Sequence, residues 1–87
     1  GLALTSEITF KQGRAVQNNF DGYEVLRIDA APKVVRVHLV PTGTYDGPLG
    51  GVGEPGVPPV APAIANAIFA ATGRRVRQLP IRDQLSA

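Results

Sequence analysis

The 87-residue sequence predicts a small α+β fold, in which an antiparallel sheet of three to four strands precedes a Gly/Pro-rich loop and one buried C-terminal helix. Three observations predict it. Residues 2–40 carry alternating or β-branched runs separated by turn signals. Six of the eight prolines and six of the ten glycines fall between Pro41 and Pro62. Beyond them lies an apolar stretch with helical spacing, ended by Gly73. The chain is thus one segment with strands over 2–40, a loop over 41–58, a helix over 59–73 and a tail over 74–87.

Leu2, Leu4, Ile8 and Phe10 alternate with Thr5, Glu7, Thr9 and Lys11, the period of a half-buried strand. Lys11-Gln12-Gly13-Arg14 is a hairpin signal, with Gly13 free to take a positive φ, and a second run starts at Ala15-Val16. Asn18-Asn19-Phe20-Asp21-Gly22 is turn-rich and Tyr23 to Ile28 is again extended. Asn19, Phe20 and Tyr23 read as turn chemistry beside core aromatics. Residues 34–40 are the strongest strand, β-branched on both faces apart from Arg36 and His38, and Pro41 ends it. The helix starts near Pro59 or Val60, because proline is tolerated where N–H groups lack intrahelical partners. Val60, Ile64, Ile68 and Ala71 share one face, and Ala63, Ala67 and Ala70 the opposite one. A helix apolar nearly all round is buried on more than one side, and three or four strands cannot also surround it. Part of its cover therefore lies on another polypeptide. Residues 77–81 suit a last short strand.

Composition excludes several function classes. Without Cys there is no disulfide framework, iron–sulfur cluster, thiolate zinc site or cysteine nucleophile in this chain. The single His38 makes no histidine-rich metal site. A domain of this length buries only about 60–65% of its unfolded surface, near the low end for independent folding. No stretch reaches the length of a membrane span. Net charge is +2, too small to imply nucleic acid, although Arg74, Arg75, Arg77 and Arg82 face only Asp83 in the last 33 residues. Arg74, Arg75 and Arg77 suit either a solvated helix end or a phosphate or partner contact. No aromatic residues interleave with them, which argues against a single-strand platform.

Gly51-Val52-Gly53-Glu54-Pro55-Gly56 formally satisfies the dinucleotide pattern G-x-G-x-x-G. The chemistry opposes that reading. Pro55, Pro58, Pro59 and Pro62 remove N–H donors that would cradle a pyrophosphate, and Glu54 adds like charge beside it. Glu54 is instead a lone carboxylate in a rigid Gly/Pro loop ahead of an apolar helix. That pattern fits a positioned general base, or equally an electrostatic helix cap. His38 is an ordinary surface or interface histidine, and Ser6 and Ser86 lie in no nucleophile elbow.

The run Gly50-Gly51-Val52-Gly53-Glu54-Pro55-Gly56-Val57-Pro58-Pro59, continuing as Val60-Ala61-Pro62-Ala63-Ile64-Ala65-Asn66-Ala67-Ile68, resembles the C-terminal signature of the molybdenum hydroxylases. These include xanthine dehydrogenase, aldehyde oxidase and isoquinoline 1-oxidoreductase. The likeness is greatest to the large molybdopterin-binding (beta) subunit of the isoquinoline 1-oxidoreductase and membrane-bound aldehyde dehydrogenase branch. Glu7 to Arg14, Gln17 to Tyr23 and Arg74 to Ile81 resemble further segments of that branch, so the likeness covers nearly the whole chain.

The resemblance implies an oxidoreductase that hydroxylates an N-heterocycle or oxidises an aldehyde. Glu54 would be the catalytic base that deprotonates a Mo–OH group. Gly51, Val52 and Gly53 would lie against the molybdopterin dinucleotide by backbone approach, with no metal ligand in this chain. Implied partners are the remainder of the large molybdopterin subunit and an iron–sulfur subunit. Because the family's subunit is far longer, the chain is expected to be a C-terminal fragment, a split or cleaved piece, or an isolated domain of a larger molybdopterin-binding domain. Alone it is expected to bind no cofactor, to be inactive and to self-associate as a homo-oligomer. The alternative is a non-catalytic interaction module of this family that associates through its apolar helix. Substrate and compartment, bacterial cytoplasm or periplasm, stay open.

Overall fold

The computed structural model describes residues 1–41, 47–48 and 50–86. Three elements form: strand β1 (Phe10–Lys11), strand β2 (Arg14–Ala15) and helix α1 (Val57–Thr72). The fold is α+β, with one two-stranded antiparallel sheet among the described residues.

The hairpin is where its turn chemistry puts it. Phe10 pairs with Ala15 and Lys11 with Arg14, across a two-residue loop. Gln12 (φ 51°) and Gly13 (φ 74°) both occupy the left-handed region, the φ pattern of the type I′ turn that matches strand twist. Val16 N–H extends the ladder by donating to the Thr9 carbonyl at 2.8 Å. The side chain of Gln17 closes the base of the hairpin. Its Oε1 accepts from Thr9 N–H at 2.7 Å, and its Nε2 donates to Thr9 Oγ1 at 2.9 Å.

Of the expected three to four strands, these two short ones form among the described residues. Residues 2–5 form a turn in which the N–H groups of Leu4, Thr5 and Ser6 converge on the Gly1 carbonyl at 3.1–3.2 Å. Residues 23–28, 34–40 and 77–81 carry no strand. The physical reason is that alternation marks side chains suited to a pleated surface, whereas a strand exists only beside a neighbour that completes its hydrogen bonds. Among the described residues, the hairpin brings such a neighbour close at low loop-closure cost, because its partners are local.

Helix α1 begins on a turn and stops on a glycine. Pro58 and Pro59 preset helical φ in its first turn. Pro62 lies inside it and removes the N–H that would bond one turn back. Gly73 takes φ 73° and donates its N–H to the Phe69 carbonyl at 2.8 Å, a left-handed stop. Thr72 Oγ1 donates to the Ile68 carbonyl (2.7 Å) and accepts from Arg74 N–H (3.2 Å). The helix was expected to be buried, yet none of its residues is. Val60, Ala61, Ile64, Ala65 and Ile68 are half-buried along one stripe, while Ala63, Ala67, Ala70 and Ala71 are exposed. Ala61 and Ala65 of this stripe, with Pro62 and Asn66, line a groove of about 330 Å³ whose other wall is residues 75–79.

The core is small. Ala3 and Ile81 are buried, at 2% and 1% exposure. They sit where the two ends of the chain meet: Ile81 N–H donates to the Ala3 carbonyl and Arg82 N–H to the Leu4 carbonyl, both at 2.8 Å. Arg82 also pairs with Glu7 at 2.8 Å, both side chains half exposed. The Leu79–Pro80 bond is cis. The chain exposes 8040 Å², where a free-standing domain of this mass exposes about 4,900 Å². Its radius of gyration is 17.2 Å, against about 12 Å for a compact domain of this length.

Candidate functional site

Glu54 sits at the first corner of a turn that feeds the helix. Val57 N–H donates to the Glu54 carbonyl at 3.0 Å. Pro55 and Gly56 (φ −78°, ψ −14°) fill the two central positions, as in a type I turn with proline at its favoured place. The backbone at Glu54 is thereby fixed relative to α1, while its side chain stays exposed. A carboxylate held three residues before a helix also meets the positive end of the helix dipole.

The same turn disqualifies the helix start as a phosphate cradle. Of the first three helical residues, Pro58 and Pro59 have no N–H, and that of Val57 is taken by the Glu54 carbonyl. No side chain caps the helix at Gly56.

Gly51, Val52 and Gly53 precede Glu54 on the exposed surface, with Val52 at 88% exposure. A Cβ built at Gly50, Gly51, Gly53 or Gly56 meets nothing within 4 Å, and none of these residues adopts the left-handed φ seen at Gly13 and Gly73. Neither packing within the described chain nor its backbone conformation requires glycine there. What glycine offers at such positions is a bare backbone that another group can approach closely. The first part of the expected loop, at 42–46 and 49, lies outside the described residues, as does residue 87 of the tail.

The other candidates divide. Arg74 serves its own chain, donating to the carbonyls of Gln84 (2.9 Å) and Leu85 (3.2 Å). Arg75 lies 3.4 Å over the Phe69 ring and donates to Asn66 Oδ1 at 3.5 Å. These two guanidiniums thus tie the closing segment to the helix and to the tail. His38 and Arg36 are exposed. Asn19 is a turn residue: its Oδ1 accepts from Phe20 N–H (2.8 Å), and its carbonyl accepts from Gly22 and Tyr23 N–H. The expectation of core aromatics fails for Phe20, which is 76% exposed beside a cavity of about 420 Å³ lined also by Ile8, Gln17 and Tyr23. The Gln17 clamp and the Glu7–Arg82 pair were not visible in the sequence, since neither spacing nor residue type singles them out.

The chain is 35% identical over 85 residues to the isoquinoline 1-oxidoreductase subunit beta of Brevundimonas diminuta, covering 98% of this chain and 10% of that one. It is 41% identical over 81 residues to the membrane-bound aldehyde dehydrogenase (pyrroloquinoline-quinone) of Gluconacetobacter polyoxogenes, covering 93% and 10%. It is 40% identical over 85 residues to the aldehyde oxidoreductase molybdenum-binding subunit PaoC of Escherichia coli, covering 93% and 12%. The chain is thus similar to a short segment of oxidoreductase subunits, a molybdenum-binding one among them. It spans about a tenth of the length of these relatives. No family model matches it, and no solved structure matches it. The Glu54 turn leads directly into α1.

Proposed function

We propose that the chain supplies one wall of a molybdenum hydroxylase active site and that Glu54 is its general base. The observation that carries this reading is the exposed stretch Gly51 to Glu54, fixed to the start of α1 by the Glu54–Val57 turn. Backbone at Gly51, Val52 and Gly53 is open to a large planar ligand, and the carboxylate stands beside it. The fit is that of a partial site: among the described residues no three His, Cys, Asp or Glu side chains gather to ligate a metal.

When bound, a molybdenum cofactor of the molybdopterin dinucleotide type supplies the oxygen transfer and accepts two electrons. The chain's own residues do the rest on this side of the site. Gly51 and Gly53 admit the cofactor by presenting backbone alone. The Pro55 and Pro58–Pro59 positions stiffen the loop, so that Glu54 meets its proton without reordering. Glu54 accepts that proton at a carboxylate oxygen as the substrate carbon is oxidised. Substrates of the N-heterocycle or aldehyde class follow from the relatives, whose names specify isoquinoline and aldehydes. The remainder of the large subunit completes the site, and an iron–sulfur subunit takes the electrons, this chain having no cysteine to hold a cluster.

Glu54→Gln in the assembled enzyme is expected to lower turnover at least about a hundredfold, the scale for loss of a general base, with molybdenum content unchanged. Near-normal turnover would overturn the assignment. The exposed Ala63, Ala67 and Ala70 face of α1 favours a second reading, a non-catalytic module that associates through the helix. Metal and quinone analysis of the purified protein separates the two. Stoichiometric molybdenum with a larger copurifying polypeptide supports the first, and a metal-free oligomer supports the second. Pyrroloquinoline quinone in place of molybdenum would contradict the cofactor assignment.

A further inference from the structure

We infer that residues 34–40 form an inner β-strand of the assembled protein, hydrogen-bonded on both edges by strands from the rest of the large subunit. The sequence of this run is that of a buried strand. Val35, Val37 and Leu39 make one face at a period of two, and Val34, Arg36, His38 and Val40 the other. Pro32 and Pro41 bracket it, and proline belongs at strand ends because it cannot donate to a ladder. Every residue between them carries an N–H.

In the chain itself the run has neither strand nor helix, and all seven residues are exposed, the apolar ones from Val34 at 68% to Leu39 at 91%. An edge strand would be expected to carry the devices that block further pairing, such as lysine, proline or a bulge within the run. Arg36 is its only charge at neutral pH besides what His38 contributes, and both lie on one face. Nothing guards the edges.

The occupant follows from area. The chain exposes about 3,100 Å² more than a free-standing domain of its mass. An ordinary dimer interface covers about 800 Å² on each partner, so one second copy leaves most of that excess bare. A much larger polypeptide does not, and the relatives are about ten times the length of this chain. The inference rests on the reading that the chain is one piece of such a subunit. It does not depend on what Glu54 does.

Amide hydrogen exchange on the chain alone and on the chain assembled with the rest of its large subunit tests it. Amides 34–40 are expected to exchange rapidly in the first and at least about a hundredfold more slowly in the second. Val37→Pro, which removes a central donor, is expected to weaken assembly at least about a hundredfold. Lys33→Pro, just ahead of the strand, is expected to change it by less than about threefold. Unchanged exchange on assembly would overturn the inference, as would equal assembly of the two proline variants. Protection already present in the chain alone, and rising with its concentration, would overturn it in favour of a second copy. Glu54→Gln is expected to assemble normally, so loss of turnover in that variant and loss of assembly in Val37→Pro report on separate readings.

Discussion

Glu54 carries the proposed chemistry, but the glycines before it are the more informative residues. Side chains at Gly51 and Gly53 would meet open space in the chain itself. Gly51→Val is therefore expected to leave the helix content of the isolated chain unchanged by circular dichroism. In the assembled enzyme the added branch would occupy space claimed by the cofactor, and molybdenum content should fall severalfold. A variant that loads molybdenum normally would show that no group approaches there. Arg75 is the contrasting case, since its work is internal. With its guanidinium over Phe69, a double-mutant cycle of Arg75→Gln and Phe69→Leu should show coupling of about 0.5–1 kcal/mol in thermal loss of helix. Glu7→Gln should cost no more than about 1 kcal/mol, because both partners of its ion pair are half exposed.

At the scale of elements, the helix and hairpin are the parts whose instructions are local. Gly73 stops α1 in a conformation that most side chains avoid. Gly73→Val should lower helix stability by about 1–2 kcal/mol, and Gly73→Asn by less, read as thermal unfolding at 222 nm. Equal effects would mean that the left-handed stop does not persist in solution. Legibility followed the same division. Gly13 and Gly73 announced their turns because a positive φ is a property of one residue and its neighbours. The alternation from Leu2 misled over residues 2–5, which form a turn that buries Ala3, out of phase with Leu2 and Leu4. Sheet partners for 23–28 and 34–40 are not specified by any neighbour in sequence. Their pairing could not be read.

For the whole molecule, surface and dimensions decide the picture. An exposed area of 8040 Å² and a radius of gyration of 17.2 Å place the chain between a compact domain and an unfolded one. Small-angle scattering of a dilute solution should give a radius well above the roughly 12 Å of a compact domain. Raising the concentration should drive self-association through the alanine face of α1, leaving amides 34–40 unprotected. A monodisperse, compact monomer at high concentration would contradict both expectations.

The sequence by itself determined what a few adjacent residues can settle: a hairpin over Lys11-Gln12-Gly13-Arg14, a helix stopped by Gly73, and the lone carboxylate of the loop with its family likeness. Tertiary structure alone decided that Ala3 and Ile81 are the core, that Arg75 belongs to Phe69, and that the glycines beside Glu54 answer to nothing among the described residues. The reason is one of range. Turns and caps are governed by local φ and local hydrogen bonds, whereas burial depends on which distant surfaces arrive, and among the described residues few do.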